Sequence, residues 1–395
     1  MKRLLCIFIL AVMVLSLGAC NQQSNVPTTM PTSFVPVPTG PVYNRDNYTT
    51  DLETLKAQYS TVIAELGDVT VDLEVLQIAY WTELVSFAYN NSGYLDMYNL
   101  DLSLPLQEQT NPGTGGTWQQ YFLNEALNTL HKFLAGCHAA QLAGLTIPED
   151  IEKGVDADLA EMEKVAKESG YEDMDAYVTY IYGPGCTVNA LRTYNYLSMV
   201  AAYYVDYCIS QFEITDQMVE DYYYAHEEDF VNAGMAMDDR IVYQVRHLLV
   251  MVDEGADDAA WEEARVKAQG YLDQYLAGQQ TEDDFSELAA DYSDDNETYA
   301  SGGMVSGLVP LSSYPTAFRE WYLAEGREHG DVELIKTELG YHVMYYVGIL
   351  PAWRYETTQS MTNSMISAII PDAVAAHPIT VYYDKLLVAE ATDND

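Results

Sequence analysis

The chain has 395 residues, of which 60 are acidic and 18 basic, for a formal charge of −42 at neutral pH. That charge argues against binding to nucleic acid and against close contact with anionic lipid headgroups, because both would be repelled. A hydrophobic content of 49% excludes a disordered chain, and the length is enough for two or three domains with real cores. The acidic surface fits solubility and an attraction for basic, unfolded polypeptide segments.

In chain order, residues 1–20 read "MKRLLCIFILAVMVLSLGAC": two basic residues, an apolar stretch, then small residues up to Cys20. This is the anatomy of a secretory signal, too short and too lopsided for a good spanning helix. Its end, Leu17-Gly18-Ala19-Cys20, resembles a bacterial lipobox, which implies lipidation of Cys20 and a chain held at the outer face of the cytoplasmic membrane by acyl groups alone. Residues 21–45 hold five prolines among uncharged residues before Arg45, a composition for an extended tether. At about 3.1 Å per residue it would reach roughly 75 Å. Removing Cys6 and lipidating Cys20 leaves Cys137, Cys186 and Cys208, an odd set without C-x-x-C spacing; one bridge or buried free thiols both fit.

Residues 46–238 read as an all-α domain. Helices are expected over 51–66, 124–144, 156–170, 189–212 and 216–230, with Leu127, Leu130, Leu134 and Cys137 forming one apolar face and Gly144 a C-terminal cap. Thr146 and Glu149 have capping-box spacing with Pro148 in the first turn. His131 and His138 lie seven apart on one helix face, but without a further ligand no metal site is read there.

Residues 239–350 change texture. A β-branched run at 240–253 precedes amphipathic helices at 260–278 and 281–293, a Gly-rich loop, a helix at 315–326 and strands at 332–338 and 339–348. The order β-α-α-β-α-β-β indicates a compact α+β domain with a small, mainly antiparallel sheet flanked by helices. His247 and His342 occupy matching places near the middle of apolar strands, so pairing of the two would set their imidazoles side by side. Residues 351–395 carry Met361, Met365, Ile366 and Ile369 on one helical face, suited to packing on the all-α domain.

The blocks "RHLL", "DFSELAADYS", "SGG" and "GYH", in order between Val242 and Gly348, resemble a parvulin-type (PpiC-type) peptidyl-prolyl isomerase. The helical region resembles, more loosely, the chaperone domain of SurA-type and PrsA-type foldases, through "LTIPEDI" and "ITDQMVEDYYYAHEEDF". The first resemblance implies a hydrogen-bonded pair of His247 and His342, Asp295 near the reacting carbonyl, Thr337 in the histidine network, and Val305, Phe318 and Tyr314 in the proline pocket. It implies neither metal nor other cofactor. The chain departs from the family after Gly303, where Met304-Val305-Ser306 replaces the usual Asp-Leu-Gly and alters a turn beside the pocket, which leaves room for weak catalysis. The expectation is therefore an envelope-anchored foldase that isomerises X-Pro bonds of secreted, partly folded proteins and has chaperone activity. The alternatives are a non-catalytic holdase or peptide-binding lipoprotein with a degenerate parvulin domain, or a scaffold in envelope assembly.

Overall fold

The computed structural model describes residues 48–308 and 314–390; the signal segment, Cys20 and the tether lie outside the described residues. The chain forms two compact units, one running to Phe212 and resuming at Asn363, the other spanning Glu213–Thr362.

The first unit opens with β1 (Tyr48–Thr49), α1 (Leu52–Lys56) and a hairpin of β2 (Val62–Leu66) and β3 (Val69–Asp72). It continues through α2 (Leu73–Asn90), α3 (Trp118–Leu142), α4 (Glu149–Glu168), α5 (Met174–Tyr182) and α6 (Val188–Ser210). Asp72 caps α2 by accepting from the Val75 N–H, and a Thr117–Gln120 capping box starts α3. Phe122, Ala126, Leu130, Phe133 and Leu134 of α3 are buried with Leu191, Leu197 and Ala201 of α6, a helix-to-helix core. Two expectations fail here. The helix over 51–66 stops at Lys56, because Gly67-Asp68 makes a two-residue turn and its flanks pair as strands. The start at Thr146 is capped by no side chain, and α4 begins after Pro148.

The second unit begins with α7 (Asp216–Ala225) and α8 (Glu227–Asn232), broken at His226. Both helices pack within this unit: Tyr223 stacks on Phe230 at 5.3 Å and meets Trp353 at 5.5 Å, while Arg354 pairs with Asp216 and Glu220. Then come β4 (Ile241–Met251), α9 (Asp258–Ala277), α10 (Glu282–Tyr292), β5 (Met304–Leu308), α11 (Thr316–Leu323), β6 (Val332–Thr337) and β7 (Gly340–Pro351). The strands form one antiparallel sheet in the order β5-β4-β7-β6. Alternation sends Leu248, Val250, Val343 and Tyr345 to the face covered by α9 and α10. It sends Val245, Met344 and Tyr346 to the opposite face, against Phe318, Trp321 and Tyr322 of α11.

The chain leaves the sheet through α12 (Ala352–Ala376), in which Met361 belongs to the second unit and Met365, Ile366 and Ile369 to the first. It closes with β8 (Thr380–Val381), antiparallel to β2, and β9 (Val388–Ala389), parallel to β1. The helical unit therefore carries a small sheet as well. Cys137, Cys186 and Cys208 are free thiols. Burial pushes the Cys137 thiol up to about 12. Among the described residues no helix is long and apolar enough to cross a membrane.

Candidate active site

The site lies on the α11 face of the sheet. His247 does not sit opposite His342: the register pairs His247 with Met344 and Leu249 with His342. The two histidines are diagonal neighbours on adjacent strands, on one face and within reach of each other's rings. Their Nδ1 atoms are 3.1 Å apart, and each residue is only 2% exposed.

Past the end of β5, the free edge of β4 is taken up by the segment 293–303. The His247 N–H donates to the Gly303 carbonyl, the Asp294 N–H to the Leu249 carbonyl, and the Leu249 N–H to the Ser293 hydroxyl. Arg246, which points to the other face, donates to the carbonyls of Ser301 and Gly302 and pairs with Glu282 at 2.9 Å. The approach at Gly303 is close: its φ is +71° and a Cβ there would lie 2.0 Å from the His247 carbonyl oxygen, so only glycine fits.

This wrapping brings Asp295 and Thr298 to the far side of His247. His247 Nε2 is 2.9 Å from Asp295 Oδ2 and 3.1 Å from Thr298 Oγ1, and the Thr298 hydroxyl donates to the same Oδ2 at 2.7 Å. Asp295 Oδ1 accepts from the Glu297 N–H. At the other end Thr337 Oγ1 is 2.9 Å from His342 Nε2 and accepts from the Leu339 N–H. One set of protons satisfies every contact: Thr337 O–H to His342 Nε2, His342 Nδ1–H to His247 Nδ1, and His247 Nε2–H to the Asp295 carboxylate.

The electrostatics agree. The hydrogen bond from His247 holds the Asp295 carboxyl well below the usual carboxylate range, against the opposing effect of its partial burial. Burial, aided by the neighbouring His247, pushes His342 down to about 3, so its ring is neutral at physiological pH.

The apolar side of the site is built from β5 and α11. The Phe318 ring stands perpendicular to His247 at 5.2 Å and lies 5.5 Å from His342. Tyr314 stacks on Phe318 at 4.7 Å, and burial pushes its hydroxyl up to about 12. Val305 is 4% exposed and Phe318 fully covered, with Val245 and Met344 beneath. Residues 309–313, which connect β5 to Tyr314, lie outside the described residues.

The structure thus gathers His247, His342, Asp295 and Thr337 into one polar chain and sets Val305, Tyr314 and Phe318 beside it. Sequence reading missed Thr298, the hinge of the network; its only signal is the position three residues after Asp295, where a hydroxyl can answer a carboxylate across a tight turn. It also passed over Arg246, whose adjacency to His247 on an alternating strand places it on the opposite face, holding the loop.

Such a site is suited to chemistry without bond making. Rotating a prolyl amide requires loss of resonance, with a barrier of about 18–20 kcal/mol for peptide bonds generally. An apolar wall with a neutral, hydrogen-bonded imidazole floor would, were a prolyl amide held against it, favour the less polar twisted form over the planar one.

An α+β unit with paired histidines on adjacent strands is the class of fold and site seen here, and the family comparison agrees: the profile of the PPIC-type peptidyl-prolyl isomerase (rotamase) domain matches residues 247–348. That segment is a PPIC-type, or parvulin-type, domain. No curated protein sequence matches the chain. Among solved structures it is similar to the foldase protein PrsA of Streptococcus pneumoniae, at 15% identity over 64% of this chain and 83% of that one, TM-score 0.23. PrsA of Bacillus subtilis matches at 16% identity over 68% and 89%, TM-score 0.30. A structure from Campylobacter jejuni, described as one of two related SurA-like chaperones, matches at 17% over 68% and 93%, TM-score 0.22.

Proposed function

We propose that the chain is an extracytoplasmic foldase: its PPIC-type domain isomerises X-Pro bonds in secreted, partly folded proteins, and its helical unit holds such chains. The observation that carries this reading is the continuous polar chain from Thr337 through His342 and His247 to Asp295, set against the apolar wall of Val305 and Phe318. Uncatalysed prolyl isomerisation takes tens of seconds, long enough for a newly exported chain to aggregate. The signal-like segment and Cys20 support export and lipid anchoring at the outer face of the cytoplasmic membrane. A proline-limited refolding assay tests the catalytic part. Acceleration by the full chain, reduced at least tenfold by His247→Ala and by His342→Ala, is expected; no acceleration, or acceleration unmoved by both substitutions, would sink it.

One observation favours a second reading, a peptide-binding holdase without turnover. Phe318 is fully covered, and Tyr314 stacks on its ring, so the side chain that the resemblance assigns to the proline pocket presents no open face. Suppression of client aggregation that survives both histidine substitutions, with no effect on refolding rate, would establish that reading instead.

A further inference from the structure

Residues 21–44 carry no charge in a chain of net charge −42, and they include the run Phe34-Val35-Pro36-Val37-Pro38. Spanning distance needs only proline and small polar residues; an aromatic ring and two valines set among prolines gain free energy when something covers them. The chain becomes described at Tyr48, and Tyr48 lines a cavity of about 400 Å³ in the helical unit. The other walls are Tyr80, Trp81 and Leu84 of α2, the segment Leu102–Gln107, Gln119 at the start of α3, and Val388–Glu390 at and just beyond β9. Leu102 and Leu104 are 45% and 54% exposed, so this side of the lining reaches solvent as an apolar rim. Among the described residues Glu390 is the one charged group of the lining, and its Oε1 accepts from Gln107 Nε2 at 2.7 Å.

Aromatic-lined clefts suit proline-rich segments, which are extended before they bind and lose little entropy on docking. The cavity offers Tyr48, Tyr80 and Trp81 together with Pro105, and the chain supplies such a segment directly upstream of one of its walls. Phe34 stands 14 residues before Tyr48, a stretch that spans at most about 50 Å and can turn back on itself. A ligand joined by so short a linker is present at an effective concentration of millimolar order, so a sub-millimolar intrinsic affinity suffices to keep the cavity filled. A neutral segment also escapes the repulsion that an acidic one would meet at Glu390. We propose that this cavity is a docking site for the chain's own proline-rich segment, with Phe34–Pro38 lodged between α2 and the segment Leu102–Gln107. Docking there leaves only residues 21–33 free, about 40 Å at 3.1 Å per residue, and keeps other polypeptides out of the cavity until they displace the segment. The inference goes beyond the foldase reading and needs no turnover at the histidines.

The test uses the full chain, its triple variant Phe34→Ser, Val35→Ser, Val37→Ser, and the blocked peptide acetyl-PTSFVPVPTGPVY-amide, which copies residues 31–43. The three substitutions lie outside the described residues and leave the cavity wall unchanged. Calorimetry should show the peptide binding the triple variant at least fivefold more tightly than the wild type, in which the chain's own segment competes. Adding Leu104→Asp to the triple variant, at the exposed rim, should weaken the peptide at least fivefold. Equal affinity for the wild type and the triple variant, or binding to neither, overturns the proposal. Affinity unmoved by Leu104→Asp places the peptide elsewhere and overturns it as well. The difference between the wild type and the triple variant should persist when the protein is diluted tenfold; its disappearance on dilution would mean that a second copy supplies the segment, which also overturns the proposal.

Discussion

The depressed His342 predicts a specific acid lability of the second unit. His342 takes its proton near pH 3 when folded and near its ordinary value of 6.5 when unfolded. Between those values the unfolded chain binds a proton that the native site refuses, so stability rises with pH across that window and is lost as pH falls from 6.5. Integrated from pH 7.5 to pH 5, this amounts to about 2 kcal/mol, with a limiting slope of about 1.4 kcal/mol per pH unit. Asp295 acts in a different window. Its folded value lies below the ordinary 3.8, so its stabilisation is fully present above pH 3.8 and is lost only on further acidification. The pH 5 to 7.5 range therefore lies above the Asp295 window, and the comparison with a His342 variant isolates that histidine. Hydrogen exchange of β4 and β7 amides in the full chain, corrected for intrinsic exchange, reads the opening free energy of that unit alone. His342→Gln keeps a polar side chain and removes the titration. The wild-type opening free energy should fall by about 2 kcal/mol more than that of the variant between pH 7.5 and pH 5. Parallel pH profiles for the two proteins would refute the claim that a neutral, desolvated imidazole forms the floor of the site.

Three further outcomes are expected. Thr298→Val keeps the side-chain shape but removes the hydroxyl donated to Asp295 Oδ2; urea unfolding of the second unit should show a loss of about 1.5–3 kcal/mol, the worth of a hydrogen bond to a charged group, and the isomerase rate should drop. Gly303→Ala would force a Cβ to 2.0 Å from the His247 carbonyl oxygen at a left-handed φ; strain of about 1–2 kcal/mol alone should lower the thermal midpoint by about 4 °C, and the clash should lower it further. Phe318→Ala empties the fully buried centre of the α11 face and should destabilise the unit by about 3–5 kcal/mol in the same unfolding experiment.

Much of this architecture is legible in the sequence because its signals are local. The runs around His247 and His342 alternate as strands must, and the helix at 282–292 announces itself through Phe285, Leu288 and Ala289 at helical spacing and a Thr281–Asp284 capping box. What escaped the sequence is set by register and by loops. The bulge in β7 between Gly348 and Tyr346, and the diagonal placement of the histidines, depend on pairing that no single strand encodes. Thr298 enters the site only because Arg246, Ser293 and Gly303 fold its loop against β4, three contacts far apart in the chain. The hairpin at 62–72 was hidden because the preceding residues carry an apolar helical pattern; the Gly67-Asp68 turn, with Gly67 at φ +58°, was the signal that outweighed it. The packing of α7 within the second unit follows from Tyr223 and Arg354, whose partners are more than a hundred residues apart.

The central claim is that the paired histidines and their apolar wall lower the barrier to prolyl rotation. Its most direct test is NMR exchange spectroscopy on a short X-Pro peptide with a catalytic amount of the full chain, and with the His247→Ala, His342→Ala double variant. The account predicts cis/trans exchange cross-peaks with the wild-type chain and uncatalysed behaviour with the variant; exchange that is equally fast with both, or equally slow, would contradict it.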